Sequence, residues 1–153
     1  MNILFVCTGN ISRSFLAAAL LRDAVSQLHL RNISVASAGI AAYEGNPADN
    51  KMVEYLEEKG ITPVDHAARQ IQKEDVDWAD QILVMENEHA MKISGFWPES
   101  ADKIEMLGKY LTKGPIPDDV VDPYRRSPYH YRLAQAQITM AVQALIKELT
   151  QEQ

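Results

Sequence analysis

The chain has 153 residues, of which 46% are hydrophobic and 24% are charged, and we expect residues 1–153 to form one domain that buries its core without disulfide or metal support. This composition excludes an intrinsically disordered or collagen-like chain. The 15 basic and 21 acidic side chains leave a net charge of −6, which disfavours nucleic acid and anionic membranes as partners.

The N-terminal segment predicts a strand, a short loop and a helix. The unbroken apolar run from Ile3 to Val6 is typical of a strand that is buried on both faces. The polar loop Thr8-Gly9-Asn10 ends this strand. From about Arg13 to Leu28, apolar residues recur at intervals of three and four, which indicates an amphipathic helix. A strand followed at once by a loop and a helix is the first half of a βαβ unit.

The rest of the chain repeats this alternation. Three further strands are predicted, at residues 33–35, 81–85 and 103–107, with a loop at Ser37-Ala38-Gly39. Asn46-Pro47 predicts the start of a helix that Gly60 ends. A loop from Gly114 to Pro128 precedes a final helix that continues to Leu149. Strands that alternate with helices predict an α/β fold with a mostly parallel sheet, whose ligands bind at the carboxyl ends of the strands.

The loop after the first strand has the features of a phosphate site. Its sequence is Cys7-Thr8-Gly9-Asn10-Ile11-Ser12-Arg13-Ser14. Successive backbone N–H groups in such a loop can converge on one point at the positive end of the helix dipole. Gly9 and Asn10 accept the left-handed backbone angles that this curvature needs. Arg13 adds a planar fork that can hold two phosphate oxygens.

Cys7 lies at the base of this loop and is the only cysteine of the chain. The loop amides, the helix dipole and Arg13 favour the thiolate over the thiol, so we predict a nucleophile aimed at phosphorus, with Ser14 close enough to hydrogen-bond the sulfur. A single cysteine permits no intrachain disulfide, which suits a reducing compartment. We therefore expect a cytoplasmic protein.

A second motif lies late in the chain and is acidic: Asp118-Asp119-Val120-Val121-Asp122-Pro123-Tyr124. A thiolate that attacks an aryl phosphate expels a phenoxide, which is a poor leaving group, so a general acid should protonate the bridging oxygen. Asp122 is favoured for this role because Pro123 restricts its backbone to extended angles and fixes the direction of its carboxylate.

The two motifs together resemble the low-molecular-weight protein tyrosine phosphatase family, from Asn2 to the last helix. The resemblance implies a three-layer α/β/α, flavodoxin-like fold with a four-stranded, mostly parallel sheet of order 2-1-3-4 and the phosphate loop between strand 1 and helix 1. It also implies hydrolysis of phosphotyrosine in proteins through a phosphocysteine intermediate, with Cys7 as nucleophile and Asp122 as general acid and then base. The phosphate-binding residues would be Thr8, Gly9, Asn10, Ile11, Ser12 and Arg13.

The resemblance extends to the surroundings of the loop. Asn10, Ser37 and His66 match a polar network that supports the loop, and Tyr43 and Tyr124 match aromatic residues on the rim of the pocket, where they could flank a substrate ring. The implied partners are a phosphotyrosine-containing protein and inorganic phosphate or other oxyanions, as product or inhibitor. No metal or cofactor is expected, and Tyr129 and Tyr131 are interpreted as surface or helix-start aromatics.

Two positions depart from the family pattern: Ser12 stands where many members carry a second cysteine, and Phe15 where proline usually opens the helix.

A protein arginine phosphatase is one alternative function, although such enzymes carry threonine where this chain has Ile11, whose apolar bulk favours an aromatic phosphoester. A non-catalytic phosphopeptide-binding module is another, disfavoured by the joint presence of a nucleophile and an acid. A flavodoxin-like electron carrier would share the sheet order and would be yellow.

Overall fold

A four-stranded sheet organises the fold in the computed structural model, which describes residues 1–63 and 65–152. Its strands are β1 Asn2–Cys7, β2 Ser34–Gly39, β3 Gln81–Val84 and β4 Ile104–Met106. All neighbouring strands are parallel, and their order is β2-β1-β3-β4. The predicted parallel sheet and its 2-1-3-4 order are therefore confirmed.

Helices cover both faces of the sheet, as the three-layer prediction requires. They are α1 Arg13–Gln27, α2 Asn50–Glu58, α3 Lys73–Trp78, α4 Asn87–Phe96 and α5 Pro128–Gln151. Short 3-10 turns at Pro98–Lys103 and Leu107–Tyr110 flank β4. In the described ranges, no helix has both the length and the apolar character needed to cross a membrane.

The central strand β1 explains how the core is divided. Ile3, Phe5 and Cys7 face a cluster that α1 and α5 complete, whereas Leu4 and Val6 face a second cluster on the opposite side. This alternation is the period of two that a strand imposes on its side chains. A strand buried on both faces is held rigidly, so its carboxyl end is a fixed base for the loop that follows.

Two predicted boundaries differ from the structure by more than two residues. The helix predicted to begin at Asn46-Pro47 begins at Asn50 instead, because the carboxylate of Asp49 accepts a hydrogen bond from the N–H of Lys51 at 3.0 Å and forms the cap. The carbonyl of Asn46 is engaged by the N–H of Ala68 at 2.8 Å. The predicted loop at 37–39 is the end of β2, because these residues pair with the end of β1.

Candidate active site

A cleft of about 330 Å³ opens at the carboxyl end of β1. It brings together the phosphate loop, the segment after β2 and the late acidic loop. Its lining residues are Cys7, Thr8, Gly9, Ile11, Ser12, Arg13, Ala41, Tyr43, Asn46, Asp122, Tyr124 and Arg125. Of the other predicted site residues, Asn10, Ser14 and Ser37 are buried and do not line the cleft, and His66 packs beside the loop. The cleft thus contains residues of both motifs, which lie far apart in the sequence.

Asn10 is the structural centre of the phosphate loop. It is completely buried and has a left-handed φ of 58°, which asparagine tolerates better than most residues. Its side-chain amide donates to the hydroxyls of Ser14 and Ser37, each at 2.9 Å. Its side-chain oxygen accepts from the backbone N–H of Arg69 at 3.0 Å. Every hydrogen-bonding atom of this side chain is therefore used to hold the loop in its curved form.

The sulfur of Cys7 is hydrogen-bonded from behind the loop. Its Sγ atom lies 2.9 Å from the hydroxyl oxygen of Ser14. Because that oxygen accepts a hydrogen bond from the amide of Asn10, the hydroxyl proton of Ser14 is free to point at the sulfur. A donor in this position stabilises a thiolate and not a thiol. This contact was predicted from the sequence, and the amide of Asn10 orients it in the structure.

A glycine at the end of β2 lets the loop pack against the sheet. A Cβ atom on Gly39 would lie 2.5 Å from the carbonyl oxygen of Thr8, which is closer than a side chain permits. The adjoining N–H groups of Ile40 and Ala41 donate to the carbonyls of Cys7 and Thr8 at 3.0 and 2.9 Å. The carbonyls at the start of the loop are thereby tied to the segment that follows β2.

The amides of the loop remain available to a ligand. Throughout residues 1–63 and 65–152, no protein acceptor receives a hydrogen bond from the N–H groups of residues 9–12. These groups precede α1, so they lie at the positive end of its dipole. Free N–H groups at a helix N-terminus are donors suited to a phosphate or another oxyanion.

Arg13 links the phosphate loop to two other segments. The side chain is 2% exposed, and one terminal nitrogen donates to the carbonyl of Val120 at 2.8 Å. The other terminal nitrogen lies 2.7 Å from a carboxylate oxygen of Glu86 and 3.7 Å from one of Asp122. The guanidinium is therefore held in one orientation at the base of the cleft, next to the predicted acid.

Asp122 is positioned by contacts on either side of it. The N–H of Val120 donates to the carbonyl of Met85 at 2.8 Å, which fixes the acidic loop to the end of β3. One carboxylate oxygen of Asp122 accepts from the N–H of Tyr124 at 3.2 Å. The side chain is 51% exposed, so a substrate in the cleft can reach it. Further back, Gly108 allows the backbone of Asp118 to pass where a Cβ atom would collide with it.

Sequence reasoning missed Glu86 and His89, which follow β3. The ring Nδ1 of His89 accepts from the N–H of Glu86 at 3.1 Å, so in the neutral ring the proton is on Nε2, which lies 3.0 Å from the hydroxyl of Thr8. Burial and then the charge of Arg13 lower the pKa of His89 to about 4, which keeps the ring neutral. One signal could have found this pair: both residues follow a buried strand, at the edge where ligands bind.

A second missed group ties the loop to α2 and α5. The hydroxyls of Ser12 and Tyr131 each donate to the same carboxylate oxygen of Asp49 at 2.5 Å. Tyr131 lies in the first turn of α5 and is buried, so of its two interpretations the helix-start aromatic is correct and the surface aromatic is wrong. Burial and the contact with Asp49 raise the pKa of the Tyr131 hydroxyl, which keeps it protonated and able to donate.

His66 supports the loop from its outer side. Its Nε2 atom donates to the carbonyl of Asn10 at 2.6 Å, and its ring lies 4.9 Å from the ring of Phe15 between centroids. Burial, with a smaller contribution from Arg22, lowers the pKa of His66 although the contact with Asn10 opposes this shift. Phe15 thus packs against a residue that holds the loop.

The two predicted rim residues line the cleft and are open to solvent. Tyr43 is 79% exposed and Tyr124 is 47% exposed. Aromatic side chains in such positions can flank the ring of a bound substrate. Among the residues that the structure describes, no group of three or more histidine, cysteine or carboxylate side chains could hold a metal ion.

Comparison with known proteins places this arrangement among phosphatases. The model of the family described as low molecular weight phosphotyrosine protein phosphatase matches residues 2–153. A protein-arginine-phosphatase from Geobacillus stearothermophilus is 36% identical over 152 residues, which cover 99% of this chain and 98% of that protein. A probable low molecular weight protein-tyrosine-phosphatase, EpsP, from Ralstonia solanacearum is 37% identical over 97% of this chain and 95% of its own length.

A solved structure resembles the whole fold. It is the C7S mutant of the YwlE arginine phosphatase with a phosphorylated active-site serine, which has a TM-score of 0.88 and 31% sequence identity to this chain. The match covers 98% of this chain and 96% of that one.

Proposed function

The chain belongs to the low molecular weight phosphotyrosine protein phosphatase family, and we propose that it hydrolyses phosphotyrosine in proteins through a phosphocysteine on Cys7. The observation that carries this proposal is that Cys7, Arg13 and Asp122 line one cleft. A nucleophile, a bidentate cation and an acid at the same cleft are the groups that a two-step phosphoryl transfer needs.

In the first step, the thiolate of Cys7 attacks phosphorus and the bond from phosphorus to the tyrosine oxygen breaks. Asp122 gives its proton to that oxygen, so tyrosine leaves as a neutral phenol. Arg13 and the free N–H groups of residues 9–12 stabilise the phosphoryl oxygens. These groups supply the positive charge at the phosphoryl group, so the proposed step proceeds without a metal ion.

In the second step, Asp122 is ionised and acts as a base on a water molecule. The water attacks phosphorus, its proton passes to Asp122, and the bond from phosphorus to sulfur breaks. The thiolate leaves with the hydroxyl of Ser14 already 2.9 Å from the sulfur, and inorganic phosphate is released. The solved relative with a phosphorylated active-site serine supports a covalent intermediate at this position.

The walls of the cleft favour an aromatic ester. Ile11 presents an apolar side chain, and Tyr43 and Tyr124 stand at the rim, so a phenyl ring would be sandwiched between apolar and aromatic surfaces. A guanidinium in the same place would lose part of its hydration against Ile11 without gaining a polar partner there.

Hydrolysis of phosphoarginine in proteins is the second candidate function. It is favoured by the arginine phosphatase from Geobacillus stearothermophilus, which is 36% identical over nearly the full length of both chains. The catalytic steps at Cys7 would be the same, and only the leaving group would differ. The two candidates are therefore separated by substrate and not by mechanism.

The test measures phosphate release from a phosphotyrosine peptide and a phosphoarginine peptide of otherwise equal sequence, in EDTA at neutral pH. We expect wild type to release phosphate selectively from phosphotyrosine and Cys7→Ser to release none. Selective release from phosphoarginine would establish the second candidate. Binding of phosphotyrosine without release by wild type would instead indicate a phosphopeptide-binding module, and both catalytic proposals would be wrong.

A further inference from the structure

Arg125 occupies an unusual backbone position at the mouth of the cleft. It lies in a turn closed by a 2.9 Å hydrogen bond from the N–H of Arg126 to the carbonyl of Pro123. Its φ of 60° is left-handed, and the third residue of such a turn is usually glycine or asparagine. A long side chain at such a disfavoured backbone position is an outlier that motivates a functional hypothesis.

The guanidinium of Arg125 is also directed by a neighbour. Its central carbon lies 5.3 Å from the centroid of the Tyr124 ring, within the range of a cation–π interaction. Both side chains line the cleft. The stacking therefore holds a planar cation at the rim, beside the place that the ring of the substrate would occupy.

The charge of Arg125 is available to a ligand. Arg13, the other cation that lines the cleft, is paired with Glu86 at 2.7 Å. Within residues 1–63 and 65–152, no carboxylate lies within 4.0 Å of Arg125. Asp122, the acid that lines the same cleft, lies 3.7 Å from Arg13 and forms no ion pair with Arg125 among the described residues. In a chain of net charge −6, an open cation at this rim is a local exception.

We propose that Arg125 is an anion subsite that binds a negatively charged group on a residue next to the phosphotyrosine of the substrate. The inference rests on the proposed function in taking phosphotyrosine as the occupant of the cleft. The planar guanidinium suits a carboxylate or a phosphoryl group equally. The ligand is therefore either an acidic side chain or a second phosphorylated tyrosine in the same segment.

The test compares four phosphotyrosine peptides that differ only in the flanking residue, which is glutamate, glutamine, lysine or a second phosphotyrosine. Dissociation constants are measured by fluorescence anisotropy with protein carrying Cys7→Ser, which removes turnover, and kcat/KM is measured with the native cysteine. Both backgrounds are combined with Arg125→Gln, with Arg125→Lys and with the control Arg126→Gln. Arg126 is the adjacent arginine, and it does not line the cleft.

We expect the glutamate peptide to bind about fivefold more tightly than the lysine peptide, which is the effect of one partly exposed ion pair. Arg125→Gln should bring the ratio of these two dissociation constants to about one. Arg125→Lys should reduce the ratio, and Arg126→Gln should leave it unchanged. A preference for the second phosphotyrosine over glutamate would identify the phosphoryl group as the ligand.

The ratio of dissociation constants for the lysine and glutamate peptides tests the anion subsite independently of catalysis. An equal ratio in wild type and Arg125→Gln, or an equal loss for all four peptides, would overturn the anion subsite. Because binding is measured in the Cys7→Ser background, a failure of catalysis would overturn the proposed function without removing this readout.

Discussion

A terminal nitrogen of Arg13 lies 2.7 Å from a carboxylate oxygen of Glu86, and the other terminal nitrogen donates to the carbonyl of Val120 at 2.8 Å. The guanidinium is thus anchored at both nitrogens to segments that come more than 70 positions later in the chain. An anchored guanidinium meets a phosphoryl group without first losing rotational freedom, which is the advantage of a preorganised site.

Glu86→Gln should lower kcat by about tenfold, because the neutral amide holds Arg13 less firmly during the transition state. Inhibition by inorganic phosphate should not weaken, since a negative charge next to the anion site is removed. The matched control is Glu88→Gln, two residues away, where the carboxylate pairs with the exposed Lys92 at 2.9 Å. Steady-state kinetics with phosphate as inhibitor checks the prediction, and an equal loss of turnover and phosphate binding would contradict it.

Asp122→Asn should reduce hydrolysis in proportion to the basicity of the leaving group. The loss should be about 10²- to 10³-fold for a phosphotyrosine peptide and much smaller for an ester of an acidic nitrophenol, because the latter leaves without protonation. The asparagine can keep the contact with the N–H of Tyr124, so the loop should retain its shape. Asp118→Asn, in the same loop but outside the cleft, is the control. A loss of equal size for every ester would remove Asp122 from the role of acid.

The parts of the site that are local in sequence could be predicted, and the parts that depend on distant contacts could not. The loop from Cys7 to Ser14 carries its own signals, because glycine, asparagine and arginine follow a buried strand within eight residues. Asp122 was selected by its neighbour Pro123, which is also a local signal. The resemblance to a family then joined these two motifs.

Asp49 and Tyr131 carry no such local signal, and Glu86 and His89 carry only that of following a buried strand. The contact from Thr8 to His89 spans 81 positions and the one from Tyr131 to Asp49 spans 82. Such pairs exist only once the sheet order and the helix packing are known. Tyr131 in particular lies in the first turn of a helix that follows a loop, where side chains are often exposed. Its hydroxyl nevertheless donates to the carboxylate of Asp49, in the segment before α2.

Tyr131→Phe should lower the free energy of unfolding by about 1 to 2 kcal/mol. The change removes one hydroxyl from the shared oxygen of Asp49 and leaves that half-buried acceptor with one donor fewer. Urea unfolding measures the effect. Tyr129→Phe, two residues earlier on an exposed side chain, should change the value by less than about 0.5 kcal/mol. Equal values for the two variants would mean that the contact with Asp49 adds nothing to stability.

His89 should make the protein less stable as the pH falls from about 6.5 to about 4. In the folded chain, burial and then Arg13 lower its pKa from 6.5 to about 4, whereas the unfolded chain keeps the ordinary value of about 6.5. Between these two pH values the unfolded state binds more protons than the folded state, so the free energy of unfolding decreases as the pH is lowered. The stabilising contribution of neutral His89 is fully present above about pH 6.5 and is lost by about pH 4. The difference between the two pKa values corresponds to about 3 kcal/mol in the free energy of unfolding.

The measurement is urea unfolding of wild type and His89→Gln at several pH values across this range. Glutamine does not titrate, and its amide can still donate to the hydroxyl of Thr8, so the variant keeps a donor while losing the proton-binding group. The carboxylates titrate in both proteins, so their effects on stability cancel in the difference between the two curves. That difference should change by about 3 kcal/mol, with wild type losing more stability on acidification. Two parallel curves would show that the buried ring of His89 binds its proton equally in the folded and unfolded states.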